Sequence, residues 1–221
     1  LAKPAPVFRH YRHSPASLSS LSYDTINAVL ADSSGAIWIG TQGGGLNRLA
    51  ASEIDREDPK FNVYRNAPGD PASLSDDNVI SLYEDRAGRL WVGTAKGGLN
   101  LFDPAKGSFK RFAQKDGLPD DTIYAIAEDR AGNLWISTNA GLAEFNPESL
   151  RIKVYDARDG LQGDEFDTGA AFRNAAGELV FGGVNGISII RADEAAKAGP
   201  APVVAITHVS VAGGDEGKVV P

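Results

Sequence analysis

Hydrophobic residues along this chain fall into short runs, and each run is bounded by residues that favour turns, mainly glycine, aspartate and asparagine. Apolar runs of four to eight residues between turn signals predict β-strands, because helices need longer periodic segments. The runs also recur in a fixed order. We therefore expect an all-β chain that is built from one repeated unit.

An Asp-x-x-Gly turn followed by a large apolar residue marks each copy of the unit. Three copies occupy residues 32–38, 85–91 and 129–135, and a degenerate fourth occupies 174–180. The copies start 53, 44 and 45 residues apart. Periods of 40 to 50 residues with strand-like patterning are typical of the blades of a β-propeller.

The repeated turn residues have structural interpretations. An aspartate at the start can accept backbone N–H groups of the turn, and a glycine supplies a positive φ. A tryptophan at one position per unit favours packing between blades, where it buries on the order of 200 Å². These roles are assigned to Asp32, Asp85, Asp129, Gly35, Gly88, Gly132, Gly177, Trp38, Trp91 and Trp135.

Each unit predicts four strands. The first is apolar on both faces, as expected for an inner strand that neighbouring blades cover on both sides. The second carries the tryptophan, the third follows a glycine-rich bend, and the fourth forms the outer edge. The predicted ranges are 25–31, 38–41, 46–49 and 61–64; 78–84, 91–94, 99–102 and 109–112; 122–128, 135–138, 142–145 and 152–155; and 168–173, 180–183 and 187–190, where the last unit has no clear fourth strand.

The segments outside the four units suggest a longer array. Phe8–Tyr11 resembles one more outer strand, so residues 1–13 are assigned to a preceding blade. The fold class expected is four four-stranded antiparallel blades of a larger, seven-bladed propeller. The domain boundaries are 14–65, 66–113, 114–156 and 157–191 for the blades, 192–202 for a polar linker, and 203–221 for the first strand of a truncated β-sandwich domain.

Composition excludes several classes of function. The net charge is −7, and an acidic chain repels nucleic acid. Without cysteine, disulfides, zinc–thiolate clusters and thiol nucleophiles are ruled out. His10 and His13 form at best a weak metal pair, so no metal site and no cofactor are expected. No apolar run is long enough to cross a membrane. The chain starts at Leu1, without an initiator methionine or a signal-peptide pattern, which suggests a piece of a longer polypeptide.

Residues 74–99 and 118–142 carry a pattern that resembles the two-component regulator propeller repeat. Both stretches contain the segment E-D-x-x-G-x-L-W followed by a glycine-rich bend. The resemblance covers residues 18–190, and the tail at 201–214 looks like the start of the β-sandwich domain that follows these propellers. It implies a periplasmic sensor region of a bacterial membrane receptor, whose output domain is a histidine kinase or a diguanylate cyclase and whose protomers pair as a homodimer.

A ligand is expected at the propeller face that carries the loops between blades. The four loops, 14–24, 66–77, 114–121 and 156–167, hold twelve acidic and two basic residues, so acidity is concentrated there. The candidates are non-repeating acidic residues and the tips of the glycine-rich bends, which vary between copies. They are Asp70, Asp116, Asp159, Asp164 and Glu165, with Gln42, Lys96, Asn139 and Asn185.

The expected partner is a small molecule, a glycan or a peptide, and the function is non-catalytic ligand sensing. Two alternatives remain open at this point. Acidic loop residues could serve a propeller glycosidase or lyase, although no nucleophile arrangement, phosphate loop or metal cluster is present. A pure protein-interaction scaffold is the other. A membrane helix further along the polypeptide would favour the receptor.

Overall fold

The computed structural model describes residues 8–192 and shows four antiparallel sheets that lie side by side. Each sheet is one blade, in which consecutive strands pair as neighbours, so the expectation of an all-β propeller arrangement is confirmed. Blade 1 contains β1 (Ile26–Ala31), β2 (Ile37–Thr41), β3 (Leu46–Leu49) and β4 (Phe61–Tyr64); blade 2 contains β5 (Val79–Glu84), β6 (Leu90–Thr94), β7 (Leu99–Asp103) and β8 (Ser108–Phe112). Blade 3 contains β9 (Ala125–Glu128), β10 (Leu134–Thr138), β11 (Gly141–Phe145) and β12 (Ile152–Tyr155), and blade 4 contains β13 (Phe166–Arg173), β14 (Leu179–Gly183) and β15 (Gly186–Ile190).

Predicted and observed strand ends agree within three residues. The largest shifts are in β9, which begins at Ala125 rather than at 122, and in β13, which begins at Phe166 rather than at 168. The fourth sheet has three strands within residues 8–192, as the pattern of the last unit predicts. No strand forms at Phe8–Tyr11; instead the Tyr11 ring packs edge-on against Phe61 at 5.7 Å. The assignment of that segment to a preceding blade stays a prediction, and the linker after 192 and the sandwich strand lie outside the described residues.

Short 3-10 helices occur in the connections at Ala51–Glu53, Gln114–Asp116 and Ala157–Asp159. The last two open the loops that lead into blades 3 and 4, and each ends at a glycine with positive φ. They place the loop residues relative to the strands that follow.

The repeated aspartate closes the turn after the first strand, as predicted, and also fixes the tryptophan. Asp85 Oδ1 accepts the N–H groups of Ala87 and Arg89, and its Oδ2 accepts Trp91 Nε1 at 2.8 Å. Asp32 and Trp38 repeat the arrangement at 2.7 Å. The glycine of each turn has a φ between 76° and 89°. One carboxylate thus orients a backbone turn and the largest side chain of the blade together.

The residues on either side of this aspartate tie each turn to the next blade. The Glu128 carboxylate accepts Arg86 N–H at 3.1 Å, from the turn of the preceding blade. The Arg86 guanidinium in turn donates to the backbone oxygens of Asp129 and Arg130, in the following blade. In each case Arg86 of blade 2 is the donor and blade 3 supplies the acceptor, so the two adjacent turns are joined through side chains from both blades.

Aromatic side chains fill the space between adjacent sheets. Trp38 contacts Phe102 of blade 2 with ring centroids 5.1 Å apart, and Trp91 contacts Phe145 of blade 3 at 5.5 Å. Both tryptophans are at least 97% buried. Trp38 and Trp91 therefore pack across the boundary with the following blade.

The two outer faces of the array remain uncovered in the described residues. β9, which has a blade on each side, is buried at every position, whereas β1 is mostly exposed. Val29 on β1 is 64% exposed, and Ile187 on β15 is 65% exposed. Apolar strand residues thus become solvent-exposed at the two faces that no described blade covers.

Gly93 lies where blade 2 meets blade 3, and its small size is required by packing. A Cβ built there would overlap Ser81 Oγ, in the same blade, and would lie 2.7 Å from Ile123 Cγ2, in the loop that leads into blade 3. At Gly182, the same position in blade 4, the added Cβ meets only Ala170 Cβ, at 3.2 Å. We expect Gly93→Ala to lower the free energy of unfolding by about 1–3 kcal/mol through overpacking.

The matched variant Gly182→Ala should cost clearly less, because its neighbour can move aside. Urea unfolding followed by tryptophan fluorescence measures both. If both variants lost the same free energy of unfolding, the contact between blades at Gly93 would not be the cause of its loss.

Acid should weaken the fold through the turn aspartates. Burial raises the pKa of Asp85, but hydrogen bonds from Trp91 and Arg89 outweigh it and hold that pKa below the ordinary 3.8. A carboxylate with a depressed pKa stabilises the fold above its unfolded pKa, and this contribution disappears as the pH falls through the folded pKa. We expect Asp85→Asn to cost about 1–3 kcal/mol at pH 7.

The difference in free energy of unfolding between the wild type and Asp85→Asn should shrink as the pH drops below 3.8. Denaturant midpoints at pH 7 and in the acid range test this. Asp58→Asn is the control, because Asp58 is exposed and accepts no hydrogen bond within residues 8–192. A difference that stays constant with pH would contradict the assignment.

Candidate functional site

The loops that carry the predicted ligand candidates emerge at one end of the strands. Each first strand starts from such a loop, and each bend between the second and third strands returns to the same end. Gln42 of blade 1 forms an isolated bridge with Asn78, at the start of blade 2. The structure therefore brings the bend tips and the acidic loops to one face, here called the loop face.

Asp164 has a structural role that sequence reasoning missed. Its Oδ1 accepts the N–H of Ala157 at 2.8 Å, and its backbone oxygen accepts Gly141 N–H, from blade 3, at 2.7 Å. Asp77 and Asp121 do the same in the two preceding loops. Asp164 was placed with the non-repeating residues because it lies ten positions before Asn174 rather than eight. It is the fourth-blade version of a loop anchor that also links blades.

Three more acidic candidates bind the backbone of their own loops. Asp116 accepts Ala113 N–H at 3.0 Å, Asp159 accepts Asp156 N–H at 2.9 Å, and Asp70 accepts Ala72 N–H at 2.9 Å. Their side chains remain at an exposed surface. These bonds explain the acidity of the loops by local turn geometry, and they leave a role in ligand binding as a prediction.

The remaining candidates differ in whether they form hydrogen bonds within the protein. Asn139 bonds to Tyr124 Oη at 2.8 Å and Thr122 Oγ1 at 3.2 Å, within one small network at the loop face. Asn185 donates its backbone N–H to Gln162. The side chains of Gln42, Lys96, Glu165 and Asn185 make no hydrogen bond to any residue of the described part of the chain, and all four are exposed. They are the free polar groups among the candidates.

A cleft of about 430 Å³ lies at the opposite end of the strands, between blades 1 and 2. It is here called the blade 1–2 cleft, and sequence reasoning did not predict it. Trp38 and Phe102 form its floor, Arg48 and Tyr64 one wall, and Glu84 and the turn at Asp32 the other; it is also lined by Ser33, Ser34, Gly88, Arg89, Leu90 and Pro104. A signal existed, because Arg48 and Tyr64 occupy positions where blade 2 has leucine and phenylalanine.

The charges in the cleft are distributed unevenly. The Asp32 carboxylate accepts Trp38 Nε1 and two turn N–H groups, and these bonds hold its pKa low although burial raises it. Glu84 accepts both the N–H and the hydroxyl of Ser33. Arg48 has its guanidinium carbon 5.5 Å from the Trp38 ring centroid. Burial raises the pKa of Tyr64, while the charge of Arg48 works against that increase.

Neither end of the array shows a metal site within the described residues, since no group of three or more potential ligand side chains comes together there. No helix in that part of the chain is long and apolar enough to cross a membrane. The chemistry available is recognition by polar side chains at the loop face, and by aromatic and charged side chains in the blade 1–2 cleft.

Comparison with known families gives three matches to one model, described as "Two component regulator propeller". They cover residues 20–43, 73–96 and 117–140. Each match runs from the anchored end of a loop, through the Asp-x-x-Gly turn, to the tip of the following bend. The matched stretches are therefore the parts that join blades.

Two of the similar proteins are named as parts of bacterial signalling systems, and a third belongs to a secretion system. Histidine kinase P4 of Formosa agariphila is 29% identical over 89% of this chain, which corresponds to 14% of its own length. The extracellular domain assigned to the hybrid two component system BT3049 of B. thetaiotaomicron is 28% identical over 86% of this chain and 24% of that domain, with a TM-score of 0.72. PorZ, a surface component of the type-IX secretion system of Porphyromonas gingivalis, is 15% identical with a TM-score of 0.60 over 81% of this chain and 28% of its own, a likeness of fold alone. This chain thus spans less than a third of each of these proteins.

Substitution of the adjacent residues Asp164 and Glu165, one at a time, distinguishes the effect of loop anchoring from the effect of surface charge. We expect Asp164→Ala to lower the free energy of unfolding by about 1–3 kcal/mol, because the Ala157 N–H loses a charged acceptor. Glu165→Ala, which removes the same charge without a hydrogen bond, should stay within about 0.5 kcal/mol of the wild type. Thermal and urea unfolding of both variants measure the difference. Equal stabilities would refute the anchor role of Asp164.

Proposed function

The chain belongs to the two-component regulator propeller family, and from that premise we propose that it is a ligand-sensing segment of a bacterial membrane receptor. Its place is the periplasmic side of the inner membrane, as part of a larger propeller. The output domain would lie elsewhere in the same polypeptide and be a histidine kinase or a diguanylate cyclase. The segment itself would bind rather than catalyse.

One observation carries this proposal. The similarity to the extracellular domain of a hybrid two component system extends over 86% of the chain, with a TM-score of 0.72. It therefore includes the arrangement of the blades and the loops at one face, and not only the repeated turn. A histidine kinase that is 29% identical over 89% of the chain points to the same class of receptor.

The loop face supports binding better than catalysis. Glycoside hydrolysis needs two carboxyl groups with separate roles, one protonated and one ionised. Asp116, Asp159 and Asp164 instead accept backbone N–H groups of their own loops. Gln42, Lys96 and Glu165 remain free and differ between otherwise matched blades, which suits recognition of a small molecule, glycan or peptide.

Signal transmission would use a difference in packing between two protomers. A ligand can shift an equilibrium only by as much as it prefers one arrangement over the other. A loop-face ligand that contacts two neighbouring blades would favour one relative placement of propeller and following domain in the homodimer. The segment between them and the membrane would pass that difference to the output domain.

The proposal is tested on the complete receptor that contains this chain, in membrane vesicles. Pools of oligosaccharides, peptides and small metabolites are screened for a change in autophosphorylation or cyclic-dinucleotide synthesis. We expect one pool to change the output several-fold, and the combined variant Gln42→Ala, Lys96→Ala and Glu165→Ala to reduce this response without loss of basal activity. Asp58→Asn serves as the surface control.

Distances between spin labels on the two protomers, measured with and without the active ligand, test the transmission step. An unchanged distance distribution at saturating ligand would overturn the packing mechanism. A full response in the triple variant would overturn the assignment of the loop face.

A further inference from the structure

The boundary between blades 1 and 2 differs from the next boundary at two equivalent positions. Arg48 pairs with Trp38 in the ladder of blade 1, as Leu101 pairs with Trp91 in blade 2. Tyr64 and Phe112 also occupy one shared position, at the end of the fourth strand. Both tryptophans are buried, but in blade 2 the residues at these two positions are apolar, whereas in blade 1 they are polar and border the blade 1–2 cleft.

The third boundary shows how polar residues at these positions are normally satisfied. Tyr155, in the place of Tyr64, donates its hydroxyl to Glu144 at 2.8 Å. Glu144, in the place of Arg48, also accepts Asn133 Nδ2 at 3.1 Å. Polar groups at that boundary thus form a closed network, as buried polar groups generally do.

No such network exists at the first boundary. Within residues 8–192, the Arg48 guanidinium makes no hydrogen bond or ion pair, and the Tyr64 hydroxyl makes no hydrogen bond. The two carboxylates of the cleft, Asp32 and Glu84, are already engaged by turn N–H groups, hydroxyls and the Trp38 indole. Arg48 is left as the unpaired charge beside an aromatic floor.

A second depression of about 530 Å³ continues from this cleft and shares Arg89, Phe102 and Pro104 with it. It contains Lys106, which pairs with Asp103 at 3.2 Å, and Lys110, which lies 5.1 Å from the Phe112 ring centroid. Lys110 forms no ion pair within the described residues. The approach to Arg48 on this side is therefore lined by cations.

We propose that the blade 1–2 cleft binds a small ring compound that carries a carboxylate, with the ring against the accessible side chains of Tyr64 and Pro104 and the carboxylate on Arg48 and Tyr64. A guanidinium binds a carboxylate through paired, charge-assisted hydrogen bonds, and the phenol hydroxyl adds one donor. The ring can come from an acidic sugar or from an aromatic acid, because both present a flat apolar face. The site rests on the proposed sensing function and adds a second recognition surface, at the end opposite to the loop face.

Isothermal titration calorimetry on the 221-residue chain tests the site with two pairs of probes. Glucuronate is compared with glucose, and phenylacetate with the neutral phenylacetamide. We expect saturable binding of at least one carboxylate and binding of its neutral partner weaker by about tenfold or more, since one charged hydrogen-bonded pair is lost. The pair that shows this difference identifies the kind of ring.

The variants Arg48→Leu and Tyr64→Phe copy the residues that blade 2 already carries at these positions. Both should fold with a thermal midpoint at or above that of the parent, because no polar group is left unpaired. Arg48→Leu should abolish measurable binding, and Tyr64→Phe should weaken it several-fold. Arg12→Leu makes the same substitution at an exposed cation outside both the cleft and the loop face, and should bind like the parent.

Failure of both carboxylates to bind, or equal binding by Arg48→Leu and the parent, would overturn the site. If Arg48→Leu unfolded, Tyr64→Phe would decide, with unchanged affinity counting against the proposal. These results are independent of the receptor assay, because the titration reports on the cleft alone. If the titration shows no binding, the sensing proposal still stands. If the receptor does not respond in the screen, the binding constant measured for the cleft still stands.

Discussion

Three consecutive side chains hold this array together, and each one reaches in a different direction. In the segment Glu-Asp-Arg, the aspartate closes its own turn and fixes the tryptophan of its own blade. The glutamate accepts a hydrogen bond from the turn of the preceding blade, as Glu128 does from Arg86. The arginine donates to the turn of the following blade, as Arg130 does to Ala176 at 2.5 Å. The aspartate fixes the turn in which the arginine lies and the tryptophan of its blade. The aromatic packing between sheets therefore depends on it.

Blade architecture could be read from the sequence because each of its determinants is local. The turn needs an aspartate and a glycine at fixed spacing, and the strands alternate with short bends, so strand bounds were predicted within a few residues. Asp164 was missed for the opposite reason. Its hydrogen bond to Ala157 and its link to Gly141 depend on the shape of a loop that is two residues longer between anchor and turn. Position along the chain does not reveal such a bond.

The blade 1–2 cleft also lay beyond sequence reasoning, although its residues were visible. An arginine opposite a tryptophan reads as a solvated residue on a strand until its neighbours are known. Only the fold shows that Arg48 lines one cleft together with Phe102 and Glu84 of the next blade, and that both carboxylates of that cleft are occupied. Comparison between blades shows why Arg48 is unusual. The same strand position is arginine in blade 1, leucine in blade 2 and glutamate in blade 3, and of the two charged residues only the arginine is left unpaired.

The first and last blades lack the outward-reaching members of this linkage. Ala31 stands in the first blade where Glu84 and Glu128 stand in the next two, and Ala175 stands in the last blade where Arg86 and Arg130 stand before it. The hydrogen-bonded row of turns therefore stops at both margins, where Val29 and Ile187 lie uncovered. Mechanically, directional hydrogen bonds hold the four sheets to one another, whereas the two margins are apolar and lie outside this row of bonds. A domain that packs against a margin makes non-directional apolar contacts, so sliding or opening there costs less free energy than bending the four sheets.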